Sequence, residues 1–276
     1  MTNMKPKWVV DKYIFDDSRI PREVFEKLGI EFFEFDYIPF LVEDIKVPYD
    51  PNDLVITYST INAVTHLKNF YGCYYDDLRY NCNVYMSLLD VDDRLFLNHD
   101  HMYCTLSNLV GDPEYYYRLM GMDRLFFRPN SGSKEFAGNV WSSNDISREV
   151  DVMIKMYNTS LDTMILVSTP KNILDETRFI VGDREIVASS RYQVEGIHKE
   201  DLKVKKESTK LVEEVIKTAQ WLPDDLFVID IATTDAGPKI IELNSFSCSG
   251  WYAMNPEEVI SKVSSIVQGH YIKDNS

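Results

Sequence analysis

The sequence predicts a small α/β domain over residues 1–115 and an α+β region over residues 116–276. Three observations carry this. Apolar runs alternate with helical stretches up to residue 109, and strand–helix–strand order implies parallel pairing. After the turn Gly111-Asp112-Pro113 the strands instead come in pairs joined by short turns. Finally, residues 226–246, LFVIDIATTDAGPKIIELNSF, read as two strands of strict alternation joined by a tight turn.

The elements are justified in chain order. Trp8–Phe15 is an apolar strand, Arg22–Leu28 a short helix after Pro21, and Glu31–Tyr37 a second strand. Leu54–Tyr58 reads as a buried strand, followed by a helix from Ile61 to Asn69. The Tyr-rich stretch 71–85 has no clear period. Leu95–Asn98 reads as a short strand and His101–Leu109 as a helix. Leu125–Arg128 is a strand ending at Pro129, and PNSGSKEFAGNV is a Gly/Ser loop leading into another. Asn144 or Asp145 caps a helix running to Asn158. Thr163–Ser168 is a strand stopped by Pro170. Glu176–Val181 and Glu185–Ser190 form a hairpin about Gly182-Asp183. Glu207–Gln220 is a helix with Leu211, Val212, Val215, Ile216 and Ala219 on one face. The last helix starts at Asn255 as cap, with Pro256 in its first turn and Glu257 and Glu258 at the positive end of the dipole.

With 276 residues, 45% of them hydrophobic, the chain can bury the cores of two domains. The net charge of −15 repels phosphate backbones, so extensive nucleic-acid binding is not expected, although a local basic pocket can still hold nucleotide phosphates. Cys73, Cys82, Cys104 and Cys248 form no Cys-x-x-Cys pair and no zinc spacing, and read as reduced cytoplasmic thiols. The N-terminal residues lack a signal-peptide pattern, and no apolar run approaches the ~20 residues of a membrane span, so no membrane is expected as partner.

The acidic hairpin carries the chemistry. Alternation puts Phe227, Ile229, Ile231, Ile241 and Leu243 on one face, and Asp230, Glu242 and Asn244 on the other. With the turn centred on Ala236, Asp230 lies directly across from Glu242. Three oxygen donors on one surface suit a hard cation such as Mg²⁺. An ordinary surface hairpin with a solvated acidic face is the competing reading. Upstream, Arg128 ends an apolar strand and Lys134 follows in the Gly/Ser loop, where backbone N–H groups and a cation can approach phosphates, or where a plain turn sits. Glu176 and Arg178 share a strand face, and Arg191 ends the partner strand. This is either a cross-strand ion pair or an arginine pair aimed at a transferring phosphoryl group. His99 and His101 flank Asp100, a pattern more often a solvated loop than a metal site. No Ser-His-Asp or Cys-His arrangement competes.

In order, these pieces resemble the ATP-grasp superfamily. The resemblance is carried by ETRFIVGDREIVASSRYQ followed by FVIDIATTDAGPKIIELNSFSCSGWY, the run seen in ribosomal-protein glutamate ligases and D-alanine ligases. FFRPNSGSKEFAG resembles the front part of an uncharacterised, often phage-encoded branch. The similarity spans roughly residues 120–255. It implies an ATP-grasp fold in which two subdomains, at about 120–168 and 169–276, sandwich the nucleotide between antiparallel sheets, behind an α/β pre-ATP-grasp-like domain. The resemblance implies Asp230, Glu242 and Asn244 as Mg²⁺ ligands, with Arg178 and Arg191 near the γ-phosphate and acyl phosphate. It puts Arg128 and Lys134 over the α- and β-phosphates, and the backbone of Leu166, Val167 and Ser168 on adenine. Arg128 stands where most members have Lys, and Leu166-Val167 where they have Gln-Glu, leaving Glu176 or Asp175 for the ribose.

The expected activity is that of an ATP- and Mg²⁺-dependent, ADP-forming carboxylate–amine ligase acting on amino acids, peptides or other small carboxylates and amines. Its expected place is the cytoplasm, the host's if phage-encoded, and homodimers are common among similar proteins. A kinase or nucleic-acid-modifying ligase on the same scaffold, and a non-catalytic nucleotide-binding protein, are the alternatives. Cys248–Tyr252 shape either an acceptor site or the core before the last helix.

Overall fold

The computed structural model describes residues 5–16, 20–38, 45–76 and 78–276. β1 (Lys7–Asp11) is the centre of a parallel three-stranded sheet. It is shorter than Trp8–Phe15, because the Asp11 carboxylate accepts from the Tyr13 N–H at 3.0 Å and the chain turns into α1 (Lys12–Asp16). α2 (Arg22–Leu28) and β2 (Phe32–Phe35) follow, then β3 (Val55–Tyr58) and α3 (Ile61–Leu67). The order β2-β1-β3 is the parallel pairing that the strand–helix alternation implies.

Three expectations in the next stretch are corrected. The aperiodic residues 71–85 yield α4 (Cys82–Leu88). Leu95–Asn98 is not a strand: Asp92 accepts from the Arg94 N–H and closes a 3₁₀ turn at Asp93–Leu95, leaving a single bridge between Phe96 and Ile240. Residues 101–109 are half strand: β4 (Met102–Thr105) precedes α5 (Leu106–Gly111), which begins only where the Thr105 hydroxyl accepts from the Asn108 N–H. Asp112 then caps α6 (Pro113–Met120), with Pro113 in its first turn. Residue 115 lies inside α6.

β5 (Arg124–Pro129), β6 (Asn139–Ser142) and β7 (Met164–Ser168) complete an antiparallel sheet in the order β4-β7-β5-β6. α7 (Ile146–Tyr157) packs on it, together with α5 and α6. The turn leading into α7 is held by Ser142 in a reciprocal capping box with Asp145, rather than by Asn144 or Asp145 acting as a single cap. β8 (Asp175–Gly182), β9 (Glu185–Val194) and β10 (Ile197–Asp201), with α8 (Lys206–Thr218), lead to β11 (Leu226–Thr234) and β12 (Gly237–Ser245). These strands form a second antiparallel sheet, β10-β9-β8-β11-β12, and α9 (Pro256–Asp274) closes the chain. The β8–β9 turn is Asp183-Arg184, both at positive φ, not Gly182-Asp183. Gly182 ends the strand, where a Cβ would come within 2.7 Å of Ile266 Cδ1 on α9.

The five-stranded sheet is covered on both faces, so β11 is buried from Leu226 to Ala232. One face, with Phe179, Phe227, Ile229 and Leu243, packs on α8. The other, with Ile180 and Val228, joins Trp8, Phe25 and Ile56 of the parallel sheet and Val259 and Val263 of α9 in one core. Trp8 Nε1 donates to Ser264 Oγ at 3.0 Å across that core. No helix among the described residues is long and apolar enough to cross a membrane.

Candidate active site

The site begins with a two-residue turn, Asp235-Ala236, between Thr234 and Gly237. A regular ladder from that turn would place Asp230 opposite Ile241. Instead the register shifts between Ile231, paired with Ile240, and Asp230, paired with Glu242. Ile241 is the extra residue of a β-bulge. Ile240 takes its expected place in the core, and Ile241 leaves the apolar face to line a cavity beside Glu242. The bulge thus delivers the expected pairing by an unexpected route.

Asp230, Glu242 and Asn244 are buried, which excludes the solvated acidic face. Asn244 Nδ2 donates to Asp230 Oδ2 at 3.2 Å and to Glu242 Oε1 at 2.8 Å, so one amide bridges both carboxylates. Arg178, across from Asp230 on β8, forks onto it with Nε and Nη2 at 2.8 and 2.7 Å. Its guanidinium lies 4.9 Å from the Tyr252 ring centre and 5.7 Å from that of Tyr192, and those rings stack on each other. Arg128 Nη2 reaches Glu242 Oε2 at 2.6 Å, and Lys134 Nζ reaches Oε1 at 2.7 Å. Burial works against ionisation of Glu242, but Lys134 and Arg128 outweigh it and hold the carboxyl well below the usual range. Burial raises Asp230 above its ordinary value, against the pull of Arg178.

The cations are held by pinned backbone. Asn130 N–H joins Met164 O on β7 at 2.9 Å, and Asn130 Oδ1 accepts from the Asn83 N–H at 2.9 Å. Gly132 N–H donates to Asn81 Oδ1 at 3.1 Å. The loop therefore rests on the start of α4, the helix without a readable period. Lys134 has φ +54, a conformation an ordinary L residue adopts only when its surroundings over-determine it.

Arg128, Lys134, Glu176 and Glu242 border one cavity of about 570 Å³, within the range of small-molecule sites. Apolar walls come from Phe126, Phe136 and Ile173, and a further cation from Lys171. Lys171 Nζ contacts Asp100 Oδ1 at 2.7 Å, which explains the carboxylate between His99 and His101. The two histidines bond backbone carbonyls of Phe96 and Asn98 through Nδ1. Among the described residues no three His, Cys, Asp or Glu side chains gather as a metal cluster.

Most expected residues converge, but some do not stand as expected. Arg191 pairs in register with Thr177, on the α8 side of the sheet, and its guanidinium contacts Asp201 rather than Asp230 or Glu242. Leu166, Val167 and Ser168 lie in β7, between β4 and β5, so the ladders on both sides take up their backbone groups. The segment after them, with Lys171 and Ile173, borders the cavity instead. Glu176 does line the cavity, accepting from Tyr192 Oη at 2.5 Å and Gln193 Nε2 at 2.6 Å, and burial raises its pKa. Asp175 is bound instead to Lys205 and Thr233. Alternation could not reveal Tyr192, because a second bulge, opposite Glu176 and Thr177, puts it and Gln193 on one face.

A family model for the ATP-grasp domain (clade family 3) matches residues 99–263, and the chain belongs to that family. No curated protein matches. Similar solved structures include D-cycloserine synthetase DcsG, at 9% identity and TM-score 0.60, covering 96% of this chain and 99% of that one. D-alanine–D-alanine ligase from Bacillus anthracis matches at 9% identity and TM-score 0.58, over 98% of this chain and 100% of that one. ATP-grasp ligase PsnB with a minimal precursor matches at 12% identity and TM-score 0.56, over 96% and 100%. At these identities the likeness carries the fold alone.

Proposed function

We propose that this protein is an ATP- and Mg²⁺-dependent carboxylate–amine ligase working through an acyl phosphate. The supporting observation is the convergence of Arg128, Lys134 and Arg178 with Asp230, Glu242 and Asn244 beside a nucleotide-sized cavity. The ligases among the similar folds support the reaction class.

The donor set fits Mg²⁺: two carboxylates and an amide, all capable of offering oxygen, already share the Asn244 bridge. When bound there, the ion would offset charge on the phosphate oxygens during transfer. Every Glu242 oxygen now holds a cationic side chain. A nucleotide entering the cavity gives Arg128 and Lys134 phosphate oxygens in exchange, and so frees Glu242. Arg178, fixed by Asp230 and the two tyrosine rings, stabilises charge on the transferring group without moving. A substrate carboxylate oxygen attacks the γ-phosphorus as the bond to ADP breaks. The amine nitrogen then attacks the acyl carbon, expelling phosphate and losing a proton. The Gly/Ser loop at 130–138 excludes water from the acyl phosphate. Reduced cysteines and the need for ATP fit a cytoplasmic enzyme.

The experiment is Mg-ATP turnover with pooled amino acids, short peptides and simple carboxylic acids, followed by product mass analysis. ADP, phosphate and a new amide are expected. AMP and pyrophosphate, or a phosphoester without an amide, would overturn the ligase reading.

A further inference from the structure

Two more cavities meet at Lys134, which also borders the 570 Å³ cavity. One is a chamber of about 70 Å³ lined by Tyr80, Lys134, Arg178 and Asn244. The other, of about 450 Å³, lies between Ile14, Ile20 and Tyr58 of the N-terminal part and Trp251. Ile61, Lys134 and Cys248 line both.

Each contains a buried donor left unused. Tyr80 is 4% exposed and Trp251 3%, yet Tyr80 Oη and Trp251 Nε1 have no hydrogen-bond partner among the described residues. A buried donor without a partner is costly, so its retention asks for a ligand. The Tyr80 phenol stays protonated, because burial pushes its pKa well above the ordinary value. The small chamber has room for a carboxylate group, about the volume of two waters. Two cations line it, which suits an anion. In the larger cavity Lys134 is the sole charged side chain among the described lining residues, and the other walls are apolar or hydroxyl-bearing.

We propose that the acid this enzyme activates is an apolar monocarboxylate, its carboxylate received by the Tyr80 hydroxyl in the small chamber and its hydrocarbon body held in the larger one. This rests on the ligase reading. Tyr80 donates to the carboxylate oxygen that does not attack phosphorus, leaving the other oxygen free beside Lys134 and Arg178.

The test is calorimetric binding of 3-phenylpropionate to the full chain saturated with Mg-AMPPNP. Binding is expected, weakened about tenfold or more in Tyr80→Phe, the loss of one hydrogen bond to a charged group. AMPPNP affinity should stay within about twofold, since the phenylalanine keeps the ring packed on Gly132. The uncharged 3-phenylpropionamide should bind weakly and equally to both proteins, which a merely structural role for Tyr80 would not produce. Equal 3-phenylpropionate affinity in both proteins, or binding of glutamate with none of 3-phenylpropionate, would overturn the proposal while AMPPNP binding persists. Failure of AMPPNP to bind would overturn the ligase reading, and this proposal with it.

Discussion

Asp230 stands directly across from Glu242 because Ile241 is bulged out of the ladder between them. The bulge makes opposite demands of two adjacent isoleucines. Ile240 is fully buried in the core under α8, so Ile240→Ala should cost about 2–5 kcal/mol of stability. Ile241 lines the nucleotide-sized cavity, so Ile241→Ala should cost little stability and weaken AMPPNP instead. Urea unfolding and calorimetry on the two variants check this, and equal stability losses would contradict the bulge.

The two arginines of the acid-x-Arg hairpin should separate as sharply. Arg178→Lys keeps the charge but loses the planar fork on Asp230. ADP release should fall by roughly 10²–10³, the usual effect of losing a pre-placed donor. Arg191 is tied to Asp201 on the α8 side, and Arg191→Ala should leave turnover within about threefold, because pairs of this kind near the surface are worth about 0–1 kcal/mol. Turnover lost in Arg191→Ala would return Arg191 to the site.

These contrasts mark what the sequence makes legible. Alternation and caps recover β8, β11, α2 and the Asn255 start of α9, because period and capping are local properties. The Asp230–Glu242 pairing follows from a turn centred on Ala236, yet the chain reaches it through a two-residue turn plus a bulge. Bulges depend on packing on both faces, which no local pattern records, and so alternation gives Ile241 and Tyr192 no place in the cavity. Arg191 fails for the same reason: two residues on the same strand lie on one face only if the ladder between them is regular. The start of α4 carries no period because its work is done by Asn81 and Asn83, which hold the Gly/Ser loop rather than a helix face.

That loop supplies the third prediction. A Cβ on Gly132 would come within 2.7 Å of Tyr80 Cβ and 3.3 Å of its backbone. Gly132→Ala should therefore push the loop off Asn81 and carry Lys134 with it. We expect a stability loss of about 1–3 kcal/mol, the cost of overpacking, and AMPPNP binding weaker by about tenfold. Thermal unfolding and calorimetry read the two effects, and unchanged nucleotide affinity would show that the contact does not set the position of Lys134.

The pH dependence of stability should carry the mark of Asp224, just before β11. Burial pushes its carboxyl up to about 6; Arg79 opposes this and Asp225 adds to it. The contact with Arg79, at 3.6 Å and with the arginine half exposed, is too weak to cancel the desolvation. In the unfolded chain the group titrates near about 3.9. The folded state therefore binds this proton more tightly, and its contribution is fully present below about pH 4. It is lost as pH rises from about 4 to 6, because there the unfolded chain binds fewer protons than the native one. The gap between the folded and unfolded values corresponds to at most about 3 kcal/mol. Asp224→Asn removes the ionisation, so its stability relative to wild type should rise by roughly 1–3 kcal/mol between about pH 4 and pH 7.5. Urea unfolding of both proteins at the two pH values isolates this group from the other carboxylates, which titrate equally in each. A difference that does not change with pH would mean that Asp224 is already ionised at no cost in the fold.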